Sequence, residues 1–395
     1  MYDKASLALI PSGYRDGELY SVLPANGDGD FTHSRGSTAT RVNKDGLIET
    51  VGDDIPRLDY PLTNGIVGDC PHLLLEPSST NLVTDSSGGV YGNAPASEIL
   101  TTAPDGTNTA VRPVPDSNSD RYQYTISGGT YATNSKLTYS WYRKRISTPV
   151  DTQYTGDLRL FVLVNCTQIG STTQIETDIN GFDRFEAVFN ITDGSQSTII
   201  RGYFGYSIGI GNSSIAYWGH QVENLDYSTT LIPTSGIEET RSADVCNSAG
   251  TSAEFNDSEG VLFAEIASFV SSGTGRRIAI SDGDYTDRIE ILYGAATNRI
   301  DYQVISNNVF QAGGFHTVTY VTDFNKVAVK YKQDDFALWI NGVEVSTDNS
   351  GSTPTGLNTL RFEDGGGGND FYGKCKQLIY FNEALSDSEL QTLTS

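Results

Sequence analysis

Residues 336–345, FALWINGVEV, contain the feature that most restricts how this chain can fold. Asn341 and Gly342 interrupt a run of strand-forming residues, and Asn-Gly is the strongest short signal for a β-hairpin because both positions tolerate positive φ. Runs of the same kind recur through residues 246–395, several with the alternation typical of strands. They lie at 260–266, 277–280, 288–293, 299–304, 316–320, 325–331, 360–362 and 377–381.

Turn residues separate eight further strand candidates in the middle of the chain. These are residues 111–114, 121–126, 136–141, 158–164, 174–179, 183–189, 198–206 and 214–222. The 41 Gly, 22 Tyr and 16 Phe favour β-structure with many turns, and 395 residues exceed one ordinary core. We therefore expect an all-β protein with two jelly-roll or β-sandwich domains in tandem, at 83–245 and 246–395, behind an irregular N-terminal segment at 1–82. Trp141 and Tyr139 are expected in a core, with a sugar-stacking platform as the alternative. The one expected helix follows Ser386, where Glu389 completes a capping box.

The formal charge of −23 restricts the possible partners. Nucleic acids and anionic membrane surfaces attract cationic proteins, so we expect neither as a partner. Solubility at high copy number accounts for the charge, and calcium binding is the alternative, because carboxylates and carbonyls are calcium ligands. No apolar run approaches about 18 residues and the first residues lack the features of a signal peptide, so we expect no membrane insertion.

Neither the cysteines nor the carboxylates form a catalytic pattern. Cys70, Cys166, Cys246 and Cys375 lack metal-site spacing and are expected to be free, mostly buried thiols made in a reducing cytoplasm. A glycosidase needs two carboxylates across the scissile bond, and the nearest run, residues 176–181, lacks the final Glu. We expect a protein that is not an enzyme.

The end of the middle domain carries a family resemblance. The matching residues are Trp218-Gly219-His220-Gln221, Glu223, Tyr227-Ser228, Ile232-Pro233-Thr234, Gly236 and Thr240-Arg241-Ser242-Ala243-Asp244. Together they resemble a closing motif of many phage tail and fibre proteins, where it ends a jelly roll like those of carbohydrate-binding modules. His220 stands where that family usually has a small residue. The resemblance implies an architecture and does not imply a ligand.

Three blocks near the N-terminus resemble phage virion proteins in the same order. They are residues 31–49, with Arg41 in the centre, residues 56–60, which read PRLDY, and residues 70–82. The resemblance implies a virion-docking segment at 1–82, with Arg41, Arg57, Asp59 and Glu76 as candidate docking residues; an irregular extension packed on its own domain is the alternative. Arg41, Arg57, Glu49, Asp59 and Glu76 could also pair and hold the segment together, and residues 73–75 should form a buried strand.

The last third of the chain resembles laminin-G-like domains of the concanavalin A-like class. The resemblance rests on residues 326–343 and on the ending at residues 371–390. Such domains would place a glycan or metal site on loops at one rim. The polar loop residues available there are Asp282, Asp284, Asp348, Asn349, Asp364, Asn369 and Asp370. The alternative is that these residues only form turns, which favour Asp, Asn and Gly.

These features define a functional hypothesis with alternatives. We expect a structural component of a tailed-phage particle, a fibre, spike or decoration subunit, that displays β-sandwich modules for adhesion to host-surface glycans. The alternatives are a purely structural tail, collar or head protein without a glycan ligand, and a bacterial surface lectin. Expected partners are other virion proteins, copies of the same chain and a host glycan, and calcium is the candidate cofactor. The expected location is the virion, after synthesis in the host cytoplasm and release by lysis.

Overall fold

The computed structural model describes residues 2–13, 18–87, 97–114, 122–145, 159–204, 215–272 and 275–395. Within these ranges the chain is almost entirely β-structure in antiparallel sheets, so the predicted all-β class is confirmed. Two short 3-10 helices, Tyr2–Lys4 and Pro11–Gly13, lie near the N-terminus. The described part of the chain has one α-helix, α1 (Asp387–Thr394), and contains no helix long and apolar enough to cross a membrane.

The strands fall into three successive groups. The first group is β1 (Leu7–Leu9), β2 (Ser21–Leu23), β3 (Thr32–Ser34), β4 (Ala39–Val42), β5 (Ile48–Val51), β6 (Arg57–Asp59), β7 (Leu62–Thr63), β8 (Ile66–Val67), β9 (His72–Leu75) and β10 (Ser79–Asn81). The second is β11 (Ser97–Thr101), β12 (Ala110–Val114), β13 (Tyr122–Gly129), β14 (Lys136–Arg145), β15 (Arg159–Val164), β16 (Cys166–Ile179), β17 (Phe182–Ile191), β18 (Thr198–Phe204) and β19 (Ile215–Glu223). The third is β20 (Glu239–Arg241), β21 (Val245–Asn247), β22 (Glu259–Ser268), β23 (Arg276–Ser281), β24 (Arg288–Tyr293), β25 (Arg299–Ser306), β26 (Val309–Thr317), β27 (Asn325–Lys332), β28 (Phe336–Ile340), β29 (Val343–Asp348), β30 (Thr359–Arg361) and β31 (Gly373–Phe381).

The last third of the chain forms a two-layer sandwich. One layer is a five-stranded sheet with the order β26-β25-β24-β23-β30, and the other belongs to a nine-stranded sheet whose main path is β2-β1-β31-β22-β27-β28-β29. Alternate residues such as Ile278 and Ile280 on β23 face Leu262 and Ala264 on β22 in one buried core. The opposite side of the five-stranded sheet, which we call its outer face, carries Ala279, Glu290 and Gln303 in register.

Residues 1–82 supply strands to this same sandwich. β1 pairs with β31, with Leu7 opposite Tyr380, and β9 pairs with another part of β31, with Leu73 opposite Cys375. Strand β9 is fully buried, which confirms the strand predicted at residues 73–75. The N-terminal segment, which was predicted to precede the two sandwiches, is therefore joined to the last sandwich by backbone hydrogen bonds. Its docking role stays a prediction.

The middle of the chain forms the other sandwich, which lies in sequence between residues 1–82 and the last third of the chain. Its sheets have the orders β11-β12-β19-β14-β17-β16 and β13-β18-β15. Trp141 and Tyr139 are each 1% exposed in its core, as predicted. The chain enters and leaves this sandwich through β10 and β20, which pair with Ser79 opposite Arg241. This pairing closes the base of the inserted sandwich.

Three local predictions from the sequence are confirmed. Ile340 and Val343 pair across the Asn341-Gly342 turn, where φ is +48° and +83°. At the start of α1 the Glu389 carboxylate accepts the backbone N–H of Ser386 at 2.9 Å. All four cysteines are free, and only Cys70 is exposed.

Candidate functional site

Two loops of the last sandwich bring together five of the seven predicted glycan-binding residues. One loop joins β23 to β24, and the other follows β30 and folds back along β23. Gly365 in the second loop approaches the first so closely that a Cβ there would lie 2.7 Å from the Asp284 carbonyl oxygen. We call the residues on these two loops the rim site: Asp282, Asp284, Tyr285, Asp364, Asn369 and Asp370.

The rim-site carboxylates shape their own loops. Asp284 accepts the backbone N–H of Thr286 at 2.6 Å, and Asp282 accepts the Thr286 hydroxyl at 2.8 Å. Hydrogen bonds from Thr286 lower the pKa of Asp284, so this exposed carboxylate is ionised at neutral pH. The turn-forming role that was the alternative in the sequence is therefore present, and it fixes where these carboxylates lie.

The second loop contains Gly365 to Gly368, and we call it the glycine loop. Hydrogen bonds to Asp364 hold it in shape in the same way. Its carboxylate accepts the N–H groups of Gly366 and Gly368, both at 3.0 Å, and the Asn369 amide at 2.8 Å. Burial opposes ionisation of Asp364, but these hydrogen bonds outweigh it and lower the pKa. Asp370 differs, because burial raises its pKa while the Tyr372 hydroxyl donates to it at 3.1 Å.

Tyr285 adds an exposed aromatic ring between the two loops. Its side chain is 56% exposed, and a Cβ on Gly366 would lie 2.1 Å from its Cδ1 atom. The ring therefore rests against the bare backbone of the glycine loop and turns the rest of its surface to solvent. Aromatic rings combined with a few oriented polar groups are typical of small-molecule sites.

Paired charges continue the rim site onto the outer face of the five-stranded sheet. Glu290 is fully buried and accepts from Arg277 Nη1 at 2.6 Å and Arg288 Nε at 3.2 Å. Arg288 also donates to the Tyr285 carbonyl oxygen, which ties this pair to the rim site. The guanidinium groups are partly exposed above the buried carboxylate, so they retain N–H donors for a ligand.

The other two predicted glycan-binding residues lie elsewhere on the sandwich. Asp348 ends β29 opposite Phe336 and accepts the Ser350 N–H at 3.1 Å, and Asn349 follows it. They belong to the side of the sandwich where β29 and β26 approach each other, whereas the rim site is built on β23, β24 and β30.

The candidate docking residues form internal pairs, as the sequence indicated. Arg41 Nε lies 2.8 Å from Glu49, and Arg57 Nη1 lies 2.5 Å from Glu76. Asp59 accepts the Val42 N–H at 2.7 Å, and burial raises its pKa to about 6. Arg57 and Glu76 are 0% and 1% exposed, so in this structure they stabilise the interior and do not face a partner.

The resemblance blocks of the N-terminal segment and of the end of the middle sandwich meet at one cluster, which we call the buried junction. It consists of Arg35, Arg57, Glu76, Arg241 and Asp244, each at most 2% exposed. Arg57 contacts both Glu76 and Asp244, Arg35 Nη1 donates to Asp244 at 2.9 Å, and Arg241 lies 2.8 Å from Glu76. The motif residues thus hold the N-terminal segment to the exit of the middle sandwich.

The arginines keep the two carboxylates of the buried junction ionised. Burial opposes ionisation of Glu76, but the charges of Arg241 and Arg57 outweigh it and lower its pKa to about 2. Burial likewise opposes ionisation of Asp244, and Arg57 with the His33 hydrogen bond reverses it, so that its pKa lies well below the usual range. The remaining motif residues support this cluster: Gln221 accepts the Ile232 N–H at 2.6 Å, and Glu223 accepts the Thr229 N–H at 2.8 Å.

Calcium was the candidate cofactor. No group of three or more His, Cys, Asp or Glu side chains in the described ranges is arranged to hold a metal ion.

The sequence did not single out Tyr285 or the charged outer face. Tyr285 lies within GDYTD, which reads as an ordinary turn. Its position beside the glycine loop depends on the fold bringing residue 366 to residue 285. Alternation along the predicted strand at residues 288–293 could have placed Arg288 and Glu290 on one face, but their pairing with Arg277 depends on the strand register.

Comparisons with known proteins give the context for this geometry. No family model matches the chain, and no curated protein matches it. Among solved structures it is similar to the CBM40 of the Ruminococcus gnavus IT-sialidase bound to α2,3-sialyllactose, with 16% identity over 38% of this chain and 94% of that one and a TM-score of 0.32. It is also similar to domain 4 of AbnA, a GH43 extracellular arabinanase from Geobacillus stearothermophilus in complex with arabinotriose, with 12% identity over 39% of this chain and 73% of that one and a TM-score of 0.32.

A third similar structure is the leech intramolecular trans-sialidase, with 19% identity over 35% of this chain and a TM-score of 0.30. The match spans only 23% of that enzyme's length. At these low TM-scores the likenesses identify neither a ligand nor an activity for this chain.

Proposed function

We propose that this protein is a structural component of a tailed-phage particle, a fibre, spike or decoration subunit, and that it binds host-surface glycans without catalysing a reaction. The proposed glycan binding rests on one observation, the exposed ring of Tyr285 between the Asp- and Asn-rich loops of the rim site. The proposed role in a phage particle rests on the resemblance to phage virion proteins. Residues from the matching blocks come together in the buried junction: Arg57, Glu76, Arg241 and Asp244.

The rim site suits a polyhydroxylated ligand. A sugar ring would stack on Tyr285 through its apolar C–H surface, while its hydroxyls meet ionised carboxylates such as Asp284 and the guanidinium of Arg288. Tyr285 and Asp284 are exposed to solvent, so each contact would be weak. Many copies on one particle would convert weak single contacts into firm attachment through avidity.

The test is binding of the full chain to a panel of bacterial surface glycans, with and without calcium. Tyr285→Ala is expected to weaken binding at least about tenfold, the usual consequence of losing a central aromatic contact. Tyr2→Ala is the control, because Tyr2 is 47% exposed and bonds Gln377 on the other sheet of the sandwich. Unchanged binding by Tyr285→Ala would reject the rim site.

The virion part has its own test. Particles purified from a lysed host culture are expected to contain the chain in fixed stoichiometry, measured by mass spectrometry. A chain found only in the host cells or on their surface would contradict this and favour the surface-lectin alternative.

The purely structural alternative is supported by a separate observation. The buried junction fixes the two sandwiches to one another through charges with almost no solvent exposure, as a load-carrying particle subunit would require. Absence of glycan binding by the wild-type chain, even when it is presented as a multimer, would favour this alternative.

A further inference from the structure

Strand β26 carries an aromatic surface at the free edge of the five-stranded sheet. Its neighbour on one side is β25, and within the described part of the chain no strand pairs with its other side. Val309, Phe310 and Phe315 on this strand are 56%, 58% and 55% exposed. We call these three residues the β26 stripe.

The two phenylalanines share the outer face although they are five residues apart. A bulge in the pairing with β25, between Val304 and Ile305, shifts the alternation. A Cβ on Gly313 would lie 2.8 Å from the Phe310 ring, and the Arg299 guanidinium lies 3.8 Å from the centre of the Phe315 ring. The Phe310 ring therefore lies against the bare backbone of Gly313, on the same face as Phe315.

The stripe lacks the charges that normally protect an exposed sheet edge. Residues 302–322 contain no Asp, Glu, Lys or Arg, in a chain in which 19% of residues are charged. Natural edge strands usually carry lysine, proline or inward-pointing charges that prevent association. Depletion of charge together with exposed aromatic rings is instead the composition of an interface core.

We propose that the β26 stripe is a self-association surface whose occupant is a second copy of this chain. Copies with a charge of −23 repel each other, so they approach best along a segment without carboxylates, such as residues 302–322. The stripe is also self-complementary. When two β26 strands lie side by side in opposite directions, with a two-fold axis through Gly313 and the extra residue of the bulge next to Phe310, Phe310 of one copy faces the partner's Phe315 and the reverse pair forms as well.

Tyr285 lies on the loop between β23 and β24, and this loop meets the start of β26, where the Asn308 N–H donates to the Thr286 carbonyl oxygen at 2.9 Å. The area of one stripe is small, so a single contact is weak and becomes effective when other contacts hold the copies close together. Self-association would thus present several rim sites at once, although the proposal stands without any glycan.

The first experiment is sedimentation velocity of the full chain over a concentration series at low and high salt. Association is expected to strengthen with salt, because salt screens the repulsion between acidic copies and leaves aromatic contacts intact. Phe310→Ser combined with Phe315→Ser is expected to raise the dimer dissociation constant at least about tenfold. Ile66→Ser combined with Ile237→Ser is the control, since these side chains are 73% and 63% exposed elsewhere.

A second experiment tests the register and does not depend on loss of function. In a Cys70→Ser background, which removes the exposed thiol, Phe310→Cys and Phe315→Cys chains are purified separately. Under mild oxidation, a mixture of the two is expected to form more cross-linked dimer than either variant alone. A wild-type chain that stays monomeric at every concentration would overturn the proposal, as would equal weakening by the control pair. Preferential cross-linking within a single variant would overturn the two-fold register.

Discussion

The buried junction makes a strong prediction for Asp244→Asn, a substitution that keeps the shape of the side chain and removes its charge. Asp244 contacts Arg57, accepts from Arg35 at 2.9 Å and from the Glu76 backbone N–H at 2.8 Å, and is 2% exposed. Without the charge of Asp244, Arg35 loses its anionic partner in the cluster and keeps the backbone carbonyl oxygens of Ser37, Gly52 and Ile55. Breaking a buried ion pair by removing one partner costs about 3–5 kcal/mol, a large part of a domain's stability of about 5–15 kcal/mol.

Denaturant unfolding of the full chain measures this cost. The matched control is Glu238→Gln, an exposed acid six positions earlier in the same connecting segment, which should change stability by less than about 0.5 kcal/mol. Combining Asp244→Asn with Arg35→Met should cost less than the sum of the single changes, because the unpaired guanidinium is then gone. A loss below about 1 kcal/mol for Asp244→Asn would refute the reasoning that this charge stabilises the buried arginines.

Three further predictions concern the same framework. Because the folded pKa of Glu76 is lowered from 4.5 to about 2, its contribution of roughly 3 kcal/mol is present above pH 4.5 and is lost as the pH falls toward 2, which unfolding experiments in acid should show. Leu7→Ala should destabilise the chain by about 2–5 kcal/mol, since Leu7 is fully buried against β31. An unchanged thermal unfolding midpoint of the last sandwich would contradict the pairing of β1 with β31. Gly219→Ala should cost about 1–3 kcal/mol, since φ is +64° and the new Cβ would meet Tyr142 Cδ2 at 2.6 Å; a stability equal to wild type would show that the site accommodates a side chain.

Local signals in the sequence predicted the parts of the fold that depend on neighbouring residues. The Asn341-Gly342 turn and the Glu389 cap act over two or three positions, and both are present. The burial of Trp141 follows from alternation along one strand. Such features depend on local geometry, which a single sequence records directly.

Long-range pairing was not readable in the same way. Leu7 pairs with Tyr380 and Leu73 with Cys375, contacts that no periodicity in residues 1–82 announces. The short strands of this segment gain their burial only from a sheet formed by the far end of the chain. The rim site was predicted in part for the same reason: its Asp and Asn residues stand out in the sequence, whereas Tyr285 gains its role only when Gly366 is folded against it.

The measurement that tests the proposed glycan adhesion most directly is binding of the labelled full chain to host cells, before and after periodate oxidation of their surface sugars. The account predicts saturable binding that oxidation abolishes and that Tyr285→Ala weakens while Tyr2→Ala preserves it. Binding that survives oxidation, or that is equally strong with Tyr285→Ala, would contradict adhesion through a glycan at the rim site.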